Sequence, residues 1–220
     1  MSGVDAVAQR VQDAFSAAPR RERLHVAGRL RTCPIAELAA AVPERGRILD
    51  FGCGHGAVAL YLALSAPDRA VTGVDVDAEK LVHARNAARA AGASIDFVEV
   101  ATDYLPAGEW DAITVVDVLY LLGPEVMGDV IASAASALVP GGALLVKEVD
   151  VVPRWKFRVA AAQEVLATKV LRITEGSTLH WESSVALGQR MSDAGLVVEQ
   201  RPLHHGRLHP HHLVIGRKPT

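Results

Sequence analysis

The sequence predicts an α/β fold of the doubly wound kind, a mainly parallel sheet with helices on both faces. Two observations predict it. From Arg47 to Glu148, short apolar runs of strand length alternate with segments of helical period. The first of those runs ends in Gly52-Cys53-Gly54-His55-Gly56, a glycine-rich turn that opens a helix. Strands separated by single helices imply parallel pairing, because parallel neighbours need crossover connections.

The elements follow in order. Val4, Val7, Val11 and Phe15 share one face of a helix that stops near Pro19. The arginine-rich segment Arg20–Arg31 continues as a second helix, with Arg20, Arg21 and Arg23 read as a solvated face. A short helix spans Pro34–Ala41, with proline in its first turn. Ile48–Phe51 is a buried strand, Ala57–Ser65 an apolar helix and Val71–Asp75 a second strand. A helix over Asp77–Ala91 turns Leu81, Ala84 and Ala88 inward, and strands follow at Ile95–Val100 and Ala112–Val116. Pro124–Leu138 is helical, ends at Pro140-Gly141-Gly142 and leads to a strand over Ala143–Val146. In the last third, Val159–Arg172 and Ser183–Ala194 are helices, Gly195 caps the second, and Leu196–Arg201 and His212–Gly216 are strands.

Composition bounds the function. The chain has 220 residues, the size of one domain, and with 50% hydrophobic and 22% charged residues it is not globally disordered. A net charge of −2 with scattered Lys and Arg provides no field for nucleic acid or an anionic membrane, so a small-molecule substrate is expected. Cys33 and Cys53 make no disulfide framework. No signal peptide and no 18-residue uncharged stretch is read, so a soluble cytoplasmic protein without integral membrane contact is expected.

Closely spaced glycines let a ligand approach the backbone, and the helix start offers unpaired N–H groups. Gly52, Gly54 and Ala57 also satisfy the dinucleotide fingerprint, which keeps an NAD(P)-dependent oxidoreductase as the rival reading. Asp50 argues against it. Its carboxylate at the strand end would repel a pyrophosphate but not a ligand carrying a sulfonium and an ammonium. Asp75, at the end of the second strand, suits ribose hydroxyls of either ligand. No second domain to hold a hydride donor's partner substrate is expected.

Leu49-Asp50-x-Gly52-Cys53-Gly54-x-Gly56 resembles motif I of class I methyltransferases. Val74-Asp75-Val76-Asp77, Trp110-Asp111-Ala112-Ile113 through Asp117, and Leu138-Val139-Pro140-Gly141-Gly142 resemble three further motifs, in the family's order. The resemblance implies a seven-stranded sheet of order 3-2-1-4-5-7-6 with the last strand antiparallel, and S-adenosylmethionine as cofactor, released as S-adenosylhomocysteine. It implies that Gly52, Cys53, Gly54 and Gly56 bring backbone to the cofactor's amino-acid tail, that Asp50 meets that tail, that Asp75 clasps the ribose, and that Val76 packs on the adenine. The acid that usually meets the adenine amine is replaced by Ala101, which leaves Thr102 or Asp103 for that contact. Residues 1–45 would form a helical cap, residues 46–220 the cofactor-binding domain, and about 150–182 an insertion over the acceptor.

Methyl transfer from a sulfonium needs alignment and exclusion of water, with a general base where the acceptor is a hydroxyl. Asp117 stands where its strand end faces the methyl, and the absence of prolines in Asp117-Val118-Leu119-Tyr120 argues against base and amide nitrogens as acceptors. Tyr120, Lys147 and Trp155 are candidate acceptor contacts, and Trp155 with Trp181 suits an apolar or aromatic acceptor. The implied fold places the 203–210 loop at the cofactor edge with a group of histidines, so His209 and His211 join Asp117 as candidate catalytic groups. Their spacing matches no defined metal site, and no metal is expected. O-methylation of a small molecule is the expected activity, with a non-catalytic S-adenosylmethionine-binding protein as a further alternative.

Overall fold

The computed structural model describes residues 3–149, 179–203 and 210–220. Three helices come first: α1 (Gly3–Ala14), α2 (Arg20–Thr32) and α3 (Ile35–Ala39). Then follow β1 (Arg45–Phe51), α4 (Ala57–Ser65), β2 (Asp68–Asp75), α5 (Ala78–Ala91), β3 (Ile95–Glu99) and, without an intervening helix, β4 (Trp110–Val116). A single 3-10 turn at Leu119–Leu121 precedes α6 (Pro124–Ala137), β5 (Leu138–Val149), α7 (Ser184–Asp193), β6 (Val197–Pro202) and β7 (His211–Arg217). The seven strands form one sheet in the order β3-β2-β1-β4-β5-β7-β6. β1 to β5 pair in parallel, and β7 runs antiparallel to both β5 and β6. The expected fold and strand order are what the structure contains.

Alternate residues of each strand feed two cores. Ile48, Leu145 and Ile215 point to the layer that holds α4, α5 and the N-terminal helices. Leu49, Leu144 and Val214 point to the layer that holds α6 and α7. The strands are apolar on both faces because both are covered by helices. α1 lies on α4 and α5, and α3 lies on α4, so the N-terminal segment is built onto one face of the sheet.

Several boundaries differ from the expected ones, each for a tertiary reason. β1 and β2 begin earlier, at polar residues, because Arg45 pairs with Asp68 across the ladder. α6 ends one residue early, and β5 passes through Pro140-Gly141-Gly142, expected as a turn. The C-terminal chain provides the partner: Gly141 N–H donates to the Lys218 carbonyl, and Lys218 N–H donates to that of Gly142. His211 and His212 lie inside β7 and are buried, whereas the expected strand began one residue later. Antiparallel pairing with Val149 and Glu148 extends the ladder over both.

Candidate functional site

The glycine turn is locked from both sides. The N–H groups of Gly52 and Cys53 both donate to the Val74 carbonyl, 2.9 Å each, which ties the turn to the neighbouring strand. Gly56 has φ +75°, and a Cβ there would stand 2.8 Å from both the Ala84 Cβ and the Phe97 ring. Only glycine satisfies both demands. Gly54 N–H donates to Asp75 Oδ2 at 2.7 Å, and Asp77 N–H donates to Asp75 Oδ1 at 2.9 Å. Turn and acid therefore hold one another. Val76, just beyond, is 52% exposed, a bare apolar side chain at the strand end.

Asp50 lies at the end of β1 leading into this turn, only 1% exposed. Its Oδ1 accepts from the Thr114 hydroxyl at 2.9 Å, and its Oδ2 has no hydrogen-bond partner. Burial pushes the carboxyl up to about 6, against the opposing pull of Thr114 and Arg29. A half-satisfied buried carboxyl next to a glycine turn is suited to receiving a cation. Asp50, Gly52, Cys53, Gly54, Gly56 and Asp75 are thus brought together as expected. Thr102 and Asp103 are exposed on the turn after β3, and Tyr104 behind them stacks on Phe51 with ring centroids 6.3 Å apart.

A second constellation occupies the ends of β4 and β5. Lys147, 1% exposed, donates to both oxygens of Asp117, at 2.6 and 2.8 Å. Arg29 reaches in from α2, donating to the Val116 carbonyl at 2.9 Å and standing 3.6 Å from Asp117. Burial alone would raise the Asp117 carboxyl, but the charges of Lys147 and Arg29 outweigh it and hold the group below the usual range. His211 adds a smaller effect in the same direction, so it belongs to this neighbourhood. On the other face of β5, Glu148 is buried with Oε1 accepting from the N–H groups of Val118 (3.0 Å) and Leu119 (2.8 Å). Burial first, and Asp117 second, push its carboxyl up to about 8. Tyr120 is stacked on Trp181, centroids 4.3 Å apart and planes 4° from parallel.

Sequence reasoning missed Arg29 as a site residue, because its side chain is one of several similar arginines on α2. It also missed what holds α2 down. Glu22 pairs with His55 of the glycine turn, and His25 and His83 flank the His55 ring at 4.9 and 6.1 Å. These residues line a cavity of about 640 Å³, with Arg20, Arg21 and Lys80 also in its wall. His209 and Trp155 lie outside the described residues. Among the described residues no group of His, Cys, Asp and Glu has the geometry of a metal site, and no helix is long and apolar enough to cross a membrane.

Residues 48–142 match the family model described as a methyltransferase domain. A ubiquinone biosynthesis O-methyltransferase of Bordetella pertussis is 31% identical, over 65% of this chain and 59% of its own. A release factor glutamine methyltransferase of Neisseria gonorrhoeae is 35% identical, over 43% of this chain and 33% of its own. The chain thus spans less than two thirds of the length of these curated relatives. An O-methyltransferase family protein from Burkholderia thailandensis shares the fold with a TM-score of 0.73, covering 94% of this chain and 62% of that one at 21% identity.

Proposed function

We propose, from the match of residues 48–142 to a methyltransferase domain, that this chain transfers the methyl group of S-adenosylmethionine to an oxygen of a small-molecule acceptor held at the ends of β4 and β5. The observation that carries the reading is the free oxygen of buried Asp50 beside a turn whose glycines admit a ligand to the backbone. A carboxylate there is matched to an ammonium and opposed to a diphosphate. Asp75 presents its carboxylate at the turn, placed for ribose hydroxyls, and exposed Val76 offers an apolar surface for a base. The cofactor, when bound, supplies an already activated methyl group on a sulfonium.

The chain's own contribution is placement. Asp117, expected as a base, is engaged by Lys147 on both oxygens and is a poor proton acceptor, so we assign it to positioning. Lys147 and Arg29, fixed by it, define the floor of the acceptor region, and α2 carries Arg29 across the strand ends. Support for oxygen as the acceptor atom comes from the absence of the proline pair after Asp117 and from the O-methyltransferase relative.

Calorimetric titration with S-adenosylhomocysteine and, separately, with NADH tests the cofactor assignment. Binding of the former alone is expected; binding of NADH alone overturns the reading.

A further inference from the structure

Two cations meet one carboxylate at the ends of β4 and β5, and they are engaged differently. Lys147 directs two donors to Asp117, at 2.6 and 2.8 Å, and its side chain is 1% exposed. Arg29 donates from Nη2 to the Val116 carbonyl at 2.9 Å, while its Nη1 stands 3.6 Å from Asp117, beyond hydrogen-bond distance. Among the described residues neither Nη1 nor Nε of Arg29 has a hydrogen-bond acceptor. The Arg29 side chain is 26% exposed, so it can be reached from solvent. A planar guanidinium with N–H groups left open has the geometry that receives a carboxylate.

The charges do not balance. Glu148 adds no second anion at neutral pH, because burial and the Asp117 charge push its carboxyl up to about 8. Asp50 also feels the Arg29 charge, but its carboxylate is matched to the cofactor's ammonium. Lys147 and Arg29 therefore face Asp117 with one positive charge left over, and a partly buried cation lacking compensation favours an incoming anion. The described proton acceptors nearby are closed to a hydroxyl. Asp117 is engaged on both oxygens, and His211 is buried within β7. Glu148 Oε1 accepts from the Val118 and Leu119 N–H groups, and Oε2 has no hydrogen-bond partner. The cavity Glu148 lines with Tyr120 and Trp181 is about 10 Å³, room for one water and not for an acceptor. An acceptor that arrives already ionised needs no base.

We propose that the acceptor is a carboxylate bound by the open N–H groups of Arg29, and that the product is its methyl ester. This rests on the methyl-transfer reading and narrows the acceptor oxygen to that of a carboxyl group. Arg29 holds the carboxylate, and an electron pair of one carboxylate oxygen forms the new bond to the methyl carbon. The carbon–sulfur bond breaks with its electrons going to sulfur. A methyl ester and S-adenosylhomocysteine result, the negative charge of the acceptor and the positive charge of the sulfonium cancel, and no proton moves. Arg29 is thus a specificity-determining residue that α2 carries to the strand ends, and Asp117 with Lys147 keeps it in place.

The test uses the full chain loaded with S-adenosylhomocysteine and two probes of nearly equal shape, butyrate and butyramide, which differ in charge. Affinities at neutral pH are measured by ligand-observed NMR for the wild type, Arg29→Gln and Arg29→Lys. The wild type should prefer butyrate about tenfold, the difference between charge-assisted and neutral hydrogen bonds. R29Q should lose that preference, and R29K, which keeps the charge without the planar fork, should retain only part of it. Equal binding of the two probes by the wild type, no binding of butyrate, or a preference that survives in R29Q overturns the proposal. A loss of S-adenosylhomocysteine affinity in R29Q and R29K overturns it too, because Arg29 would then serve the cofactor. Failure of S-adenosylhomocysteine to bind the wild type overturns the methyl-transfer reading instead.

Discussion

Asp117 takes φ +56° at the end of β4, a left-handed conformation that aspartate and asparagine tolerate better than other side chains. Asp117→Asn therefore leaves the backbone unperturbed and removes only the charge. Lys147, 1% exposed, is then buried without its counter-ion. Breaking such a pair from one side should cost roughly 3–5 kcal/mol, read as a lower urea midpoint at constant slope. The double variant with Lys147→Met should lose less than D117N alone. Asp50 makes a prediction of the opposite sign. Its carboxyl is raised to about 6, so the folded chain binds the proton more tightly than the unfolded chain. The stabilisation is complete below the unfolded value near 4 and is lost as pH rises through 6. The stability of the wild type relative to Asp50→Asn should therefore grow by up to about 3 kcal/mol between pH 7 and pH 4, measured by urea titration of both proteins. The sequence showed Asp50, Asp75 and the glycines because a turn of that kind is written in consecutive residues. It did not show Arg29 or the lone oxygen of Glu148. One arginine among several on a polar helix, and one acid at the end of an apolar strand, acquire their roles only from the elements they meet.

Among the elements, α2 is held by polar contacts more than by burial. Val26 is its one fully buried side chain among the described residues. Its attachment runs through Glu22 and His25 to His55 at one end and through Arg29 to the β4 end at the other. Burial drives the His25 imidazole down to about 4, with the charges of His55 and Arg29 adding to it, and His55 is lowered for the same first reason. A histidine depressed in the folded state stabilises it above the unfolded value of 6.5 and loses that contribution as pH falls through the folded value. Acidification should therefore loosen α2 before the sheet. Hydrogen exchange over residues 20–32, corrected for intrinsic rates, should accelerate as pH falls from 6.5 towards 4.5. Exchange in β1 and β4 should not accelerate, and His25→Gln should remove most of the effect on α2. Equal acceleration in helix and sheet would show that no separate unit exists. The periodicity of α2 was plain in the sequence, but its attachment was not, because the partners lie some 30 residues or more away along the chain. For β5 the reverse held. Its apolar centre was legible, while its start was hidden by Pro140-Gly141-Gly142 and revealed only by the pairing of that segment with Lys218.

Over the whole molecule, the strand order was legible because parallel strands joined mostly through single helices can be wound in few ways, and the resemblance chose among them. The cap, the turn and the strand ends then share one consequence. A ligand spanning Asp50, Asp75 and Val76 binds only the folded chain, so it must raise the melting temperature by mass action. At a hundred times its dissociation constant, S-adenosylhomocysteine should add about 2.7 kcal/mol, roughly 5–10 °C for a chain of this size. NADH, whose diphosphate would meet the Asp50 carboxylate, should add nothing. The pH dependence separates this site from an unspecific stabiliser. The ligand's ammonium needs Asp50 ionised, and the carboxyl of the free protein titrates near 6. Binding must therefore expel a proton at acidic pH, and affinity should fall by up to about tenfold per unit below that value. The melting shift at a fixed ligand concentration should shrink between pH 7 and pH 5 in the wild type. In Asp50→Asn it should be smaller at pH 7 and flat across the range. A wild-type shift that stays constant with pH would mean that the ammonium is held elsewhere, and the role given to Asp50 would fail even with the cofactor bound.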